Sequence, residues 1–128
     1  MAVDARSTYD TNNIFARILR GEIPCKKVYE DEFALAFHDI NPQAPTHVLV
    51  IPKGEYVSMV DFTANAPESL IAGFFKAVGK VADELGLVDG GYRILANAGV
   101  NAHQEVPHLH VHIFAGAPLG PMLARKAG

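Results

Sequence analysis

Residues 107–114 read Pro107-His108-Leu109-His110-Val111-His112-Ile113-Phe114. Histidine alternates with an aliphatic residue three times over, and that period of two predicts a β-strand over His108–Phe114. A strand sends successive side chains to opposite faces, so His108, His110 and His112 share one face, and Leu109, Val111 and Ile113 share the other. Imidazoles two positions apart start roughly 6.7 Å from one another, a separation that suits groups gathered around one phosphate. With the aliphatic face turned into the core, the histidine face becomes the wall of a cleft. The chain has six histidines, four of them within 103–112, which speaks against a solvated strand that is His-rich by chance. Two chemical readings remain open on spacing alone: a shared metal ion, or phosphorus chemistry with one neutral imidazole as nucleophile and a neighbour as proton donor. An unperturbed histidine pKa of about 6.5 keeps both protonation states within reach near neutrality.

Working outward, Tyr92–Ala96 predicts a strand joined to the histidine strand by a loop over 97–102. The longest helical pattern lies upstream, over Pro67–Leu85. Leu70, Ile71, Phe74, Phe75, Val78, Val81 and Leu85 recur there at three- and four-residue steps, and Pro67 suits the first turn. Gly73 and Gly79 interrupt that pattern and suggest close packing against a sheet. A polar stretch over 61–66 precedes it. His47–Ile51, rich in β-branched residues and ended by Pro52, predicts a central strand buried on both faces. Lys27–Glu30 and Phe33–His38 flank a turn at Asp31-Glu32 and predict a hairpin. A short helix over Ile14–Arg20 is capped by Asn12 or Asn13 and closed by Gly21. These elements predict a single α+β domain over 12–116 on a five-stranded antiparallel sheet with one long and one short helix. A frayed arm is expected over 1–11 and a Gly/Pro-bearing tail over 117–128.

The chain has 128 residues, is 49% hydrophobic and carries a formal charge of −3. That charge gives no basic face for a nucleic-acid backbone, yet suits a pocket that holds one nucleotide through backbone N–H groups. The single cysteine, Cys25, excludes an intrachain disulfide and a Cys-rich zinc framework. It reads as a small apolar filler. The N-terminal segment lacks the apolar run of a signal peptide, and no stretch approaches a bilayer span of roughly 18 residues. A cytoplasmic location, with neither membrane nor nucleic-acid partner, is the expectation.

The run from Pro107 to Phe114 resembles the His-φ-His-φ-His-φ-φ signature (φ, apolar) of the histidine-triad family. Further matched segments are Ile14-Phe15, Gly21-Glu22-Ile23-Pro24, Ala36-Phe37-His38-Asp39-Ile40, Pro42-Gln43-Ala44-Pro45-Thr46-His47, Leu49-Val50-Ile51-Pro52-Lys53, Leu85-Gly86-Leu87 and Gly91-Tyr92-Arg93. Together they span roughly residues 13–115 and are similar to the Hint branch. The resemblance implies a hydrolase of purine nucleoside 5′-phosphoramidates, acting on AMP conjugates without a cofactor. It also implies a homodimer whose two sheets join into ten strands. Three further readings stand beside it: hydrolysis of dinucleoside polyphosphates or other adenylyl conjugates, a nucleotide-binding regulator, and a zinc hydrolase.

Carried over residue by residue, the resemblance makes His110 the nucleophile of a nucleotidyl-histidine intermediate. His112 contacts the phosphate and assists the leaving group, while His108 and His47 orient or relay protons. On the residues alone His47 fits equally a core histidine at a strand start. Asp39 is expected to accept from the ribose hydroxyls, and Ile40, Phe15 and Ile18 to line the base pocket, the last two serving equally well as core. His38 lies at the pocket edge or is structural. Asn97, Gln104 and Glu105 are expected around the phosphate. Glu105 departs from the hydroxyl residue found in better-known relatives, and a carboxylate there repels phosphate unless turned away. His103 replaces a small residue and offers a positive partner. Asn13 and Ala16 stand where some relatives carry a zinc-binding cysteine pair, so no metal is expected. The tail lacks tryptophan and holds Pro118-Leu119-Gly120-Pro121, which suggests a different leaving-group preference.

Overall fold

The computed structural model describes residues 3–124. Five strands form one antiparallel sheet: β1 (Lys27–Glu30), β2 (Ala34–His38), β3 (Thr46–Pro52), β4 (Tyr92–Leu95) and β5 (Val111–Ala115), in the order β1-β2-β3-β5-β4. Three helices accompany it: α1 (Ile14–Leu19), α2 (Met59–Asn65) and α3 (Glu68–Glu84). The sheet and the α+β class follow the sequence expectation. Among the described residues no helix is long and apolar enough to cross a membrane.

Both faces of the sheet are covered, which is why β2 and β3 read as nearly unbroken apolar runs. Ala34, Ala36, Val48, Val50, Val111 and Ile113 meet Phe62 of α2 and Phe74, Val78 and Val81 of α3 in one cluster. Leu35, Phe37, Leu49 and Ile51 point the other way and meet Phe15 of α1 in a second cluster. The site lies on this second face. Leu109, Val111 and Ile113 belong to the first cluster, so the alternation does separate aliphatic from imidazole side chains.

The paired strand is shorter than expected. The β3–β5 ladder begins at Val50↔Val111, and His108, Leu109 and His110 lie before it. Pro52 has no N–H to donate, and its carbonyl accepts from the His108 imidazole instead of a strand partner (3.1 Å). Leu109 N–H is diverted to the Tyr56 carbonyl (2.8 Å).

Other departures have equally local causes. The polar stretch over 61–66 lies largely in α2, because Phe62 is fully buried between Tyr56 and Phe74. That burial is worth about 1.5–3 kcal/mol, and without it so short a helix does not persist. Pro67 is the N-cap of α3 rather than its first-turn residue. Gly73 lies against the sheet hairpin, where a methyl group would overlap the Phe33 ring, whereas Gly79 has open space around it. Within the N-terminal segment expected to fray, Val3 is buried and Ala5 accepts from the Ser58 hydroxyl (2.8 Å), while Arg6, Ser7 and Thr8 are exposed. At the other end Arg93 holds the Gly120 carbonyl (2.8 Å), while the final part of the tail, 125–128, lies outside the described residues.

Candidate active site

His110 comes just before β5, on the face shared with α1. Its Nδ1 lies 2.7 Å from the His108 carbonyl. A carbonyl only accepts, so Nδ1 carries the proton and Nε2 keeps its lone pair. The Phe15 ring meets the His110 ring edge-on, with centroids 4.9 Å apart. The ring is 7% exposed, and burial lowers its pKa below the ordinary 6.5 against the opposing pull of the His108 carbonyl, Asp39 and Glu105. His110 is therefore held neutral and oriented, with Nε2 as its free atom.

The same reasoning fixes two more rings. The Gln43 backbone N–H donates to His47 Nδ1 (3.1 Å), so His47 carries its proton on Nε2. His47 Nε2 lies 2.9 Å from His112 Nδ1, which must then accept. His112 is left with its proton on Nε2. Among the described residues, that Nε2 is the buried side-chain polar atom with no partner. Burial, reinforced by the neighbouring His110 and His47 imidazoles, lowers the His112 pKa to about 4. The His110 and His112 centroids are 5.0 Å apart, closer than ideal strand spacing. A free lone pair and an unsatisfied N–H donor thus stand side by side, and an unsatisfied buried donor normally marks a place where a partner binds.

His108 departs from the expected cleft wall. It is completely buried, between Tyr9 and Pro52, and burial takes its pKa down to about 4. His47 is buried as well, tilted against Phe114 with centroids 4.2 Å apart, and burial lowers its pKa. Asp39 comes within 3.4 Å of His47 Nε2 through Oδ2, while its Oδ1 caps the following turn by accepting from Asn41 N–H (2.8 Å).

The remaining expected residues divide. Phe15 is buried and Ile18 partly buried in the second apolar cluster, so both serve as core, and Phe15 also touches the His110 ring. Ile40 is 85% exposed beside Asp39. Asn97 is half-buried just after β4. His38 pairs with Val48 and alternates with Phe37, which sets it on the α3 face, away from the imidazoles.

Gln104 is buried, and its amide is fully occupied. It donates to the Val57 (2.7 Å) and Val106 (3.1 Å) carbonyls and accepts from Gly99 N–H (3.0 Å). The side chain expected at the phosphate is a latch for the loop instead. Glu105 is exposed, and its carboxylate lies 2.9 Å from the His103 imidazole two residues before it. His103 has a φ of 59°, a left-handed backbone where a residue without a Cβ is at ease.

Asp39, His47 and His112 present donor atoms within 4.8 Å of one another, close enough for a cation. The nitrogens nearest each other are already joined by the imidazole–imidazole hydrogen bond, and His47 Nδ1 is taken by Gln43. Asn13 caps α1 by accepting from Phe15 and Ala16 N–H, and Ala16 is buried, so that end of the helix offers no metal ligand pair. Three contributors carried no local signal in the sequence: Tyr9, the Gln43 N–H and the Pro52 carbonyl.

The HIT domain model matches residues 20–119. A 13.2 kDa HIT-like protein of Azospirillum brasilense is 70% identical over 118 residues, covering 92% of this chain and 97% of its own. The purine nucleoside phosphoramidase of Escherichia coli K12 is 42% identical over 113 residues, covering 88% and 94%. The solved structure of a histidine triad protein from Clostridium difficile superposes with a TM-score of 0.79 at 40% identity, covering 91% of this chain and all of that one. A matched domain model and relatives aligned along most of their length show that this chain belongs to the histidine-triad, or HIT, family.

Proposed function

We propose that the protein hydrolyses purine nucleoside 5′-phosphoramidates through a covalent intermediate on His110. The observation that carries this reading is the free Nε2 lone pair of His110 beside the unpartnered Nε2–H of the neighbouring His112 ring. In the first step Nε2 attacks the α-phosphorus, the P–N bond breaks, and the nitrogen departs as the free amine after taking up a proton. The proton reaches that nitrogen from solvent water, while His112, held neutral with its Nδ1 on the His47 Nε2–H, donates its Nε2–H to a phosphoryl oxygen and offsets the charge that develops there. Water then attacks phosphorus, breaks the P–Nε2 bond, returns a proton to solvent and releases the nucleoside monophosphate, leaving His110 neutral again. Asp39 and Ile40 receive the ribose and base, with Asn97 and the backbone at Glu105 near the phosphate. The name of the Escherichia coli relative supports the amine leaving group.

The same reading extends to assembly. β4 is an open sheet edge on which Tyr92 and Ile94 are substantially exposed, and two copies joined there would form the ten-stranded sheet, a state that light scattering reads directly. For the chemistry, turnover of adenosine 5′-phosphoramidate should exceed that of diadenosine polyphosphates at equal concentration. The reverse order would replace the amine by a nucleotide leaving group. Tight AMP binding with no turnover of either would make the protein a nucleotide-binding regulator.

A further inference from the structure

We propose that Tyr9, on the segment preceding α1, is a positioning residue of this site, whose hydroxyl clamps His108 in the tautomer that holds the nucleophile. The inference rests on the function proposed above and deepens it. His108 Nε2 lies against the Pro52 carbonyl (3.1 Å), so Nε2 carries the proton and Nδ1 must accept. The Tyr9 hydroxyl supplies that donor at 2.6 Å, and its ring meets the imidazole edge-on with centroids 5.6 Å apart. Both nitrogens of a completely buried imidazole are thereby satisfied. The backbone carbonyl of the same residue accepts from His110 Nδ1 (2.7 Å). One residue thus receives the tyrosine on its ring and directs the nucleophile with its backbone.

Tyr9 is itself held in place. Asp10 accepts from the Asn13 backbone (3.2 Å) and side-chain amide (2.7 Å), and Thr11 accepts from Arg20 Nη1 (2.8 Å). The segment continues under the loop after β4, where Ala5 lies near Gly99. Glu55, Arg20 and Asp10 are the charges that bear on the phenol, and His110 is the titratable group that bears on His108. Burial raises the phenol pKa above 10, so the hydroxyl stays a donor across the working range. Without it, a buried Nδ1 lone pair has no partner. The ring then gains a proton or turns, and either response shifts the carbonyl that orients His110.

The test compares Tyr9→Phe, which keeps the ring contact and loses only the hydroxyl, with Tyr9→Ala. Ring ¹⁵N spectra across pH report the tautomer and titration of His108, and steady-state kinetics with adenosine phosphoramidate report catalysis. Tyr9→Phe is expected to raise the His108 pKa and lower kcat roughly 5- to 10-fold, the scale of one buried hydrogen bond, with KM within about 2-fold. Tyr9→Ala should match it in the spectra and in kcat. Full rescue by Tyr9→Phe of what Tyr9→Ala loses would reduce Tyr9 to packing and overturn the proposal, as would His108 signals that move in neither variant. Absence of turnover in the wild type would count against the phosphoramidase reading alone, because the ring spectra still decide the role of Tyr9.

Discussion

Replacing Gln104 by leucine removes three hydrogen bonds while nearly conserving volume. The Val57 carbonyl is deeply buried and loses the Gln104 donor, at a cost of about 1–3 kcal/mol for an unsatisfied buried acceptor. The Val106 carbonyl and Gly99 N–H are part-buried and can recover some hydration, so each loss costs about 0.5–1.5 kcal/mol. The variant should therefore unfold in urea about 2–6 kcal/mol more easily, through a lower midpoint at an unchanged slope. A domain of this kind has about 5–15 kcal/mol in hand, so most of that range leaves a folded protein to assay. Catalysis should suffer less in kcat than in KM, because the latch orders the loop proposed to lie beside the phosphate and touches no reacting atom. A side chain that contacted the phosphate directly would behave otherwise. Wild-type stability with KM raised about 10-fold, the scale of one lost charge-assisted hydrogen bond, would refute the latch.

Gly73→Ala should destabilise by about 1–3 kcal/mol, since the new methyl meets the Phe33 ring, whereas Gly79→Ala should stabilise by about 0.5–1 kcal/mol; thermal melts of the pair read both signs. Stability should also fall with acid between pH about 6.5 and 4. The native imidazoles at His108 and His112 resist protonation until about 4, while the unfolded chain takes protons from 6.5 downward. The unfolded state binds more protons across that window, so unfolding free energy rises with pH there, His108 alone contributing on the order of 3 kcal/mol. Urea titrations at pH 4.5 and 7 test it; equal midpoints would contradict burial of neutral imidazoles.

The sheet was legible where one physical signal dominated. His47–Ile51 and the long stripe of α3 are apolar patterns too strong to misread, and both lie within about one residue of the expected bounds. α2 was hidden because a single aromatic, Phe62, supplies its anchor, and one residue makes no period. The histidine pattern correctly separated two faces, but could not show that the ladder stops at Val111, since that depends on a proline carbonyl on a neighbouring strand being taken by His108. Within the site, the fold gathers His110, His112, His47 and Asp39 into one cluster. Gln104 takes a different place from the one expected, because residue type and position specify what a side chain can bond, not which backbone groups reach it first. Tyr9 meets His108 across 99 residues of sequence, a juxtaposition only the folded chain reveals.

The central claim is that His110 Nε2 carries the nucleotide covalently. Mass spectrometry of the protein after a brief acid quench with adenosine phosphoramidate, wild type beside His110→Ala, tests it most directly. An adenylyl adduct on the wild type alone, mapped by peptide fragmentation to His110, is the predicted result. Rapid turnover that survives His110→Ala, with no adduct on either protein, would contradict it.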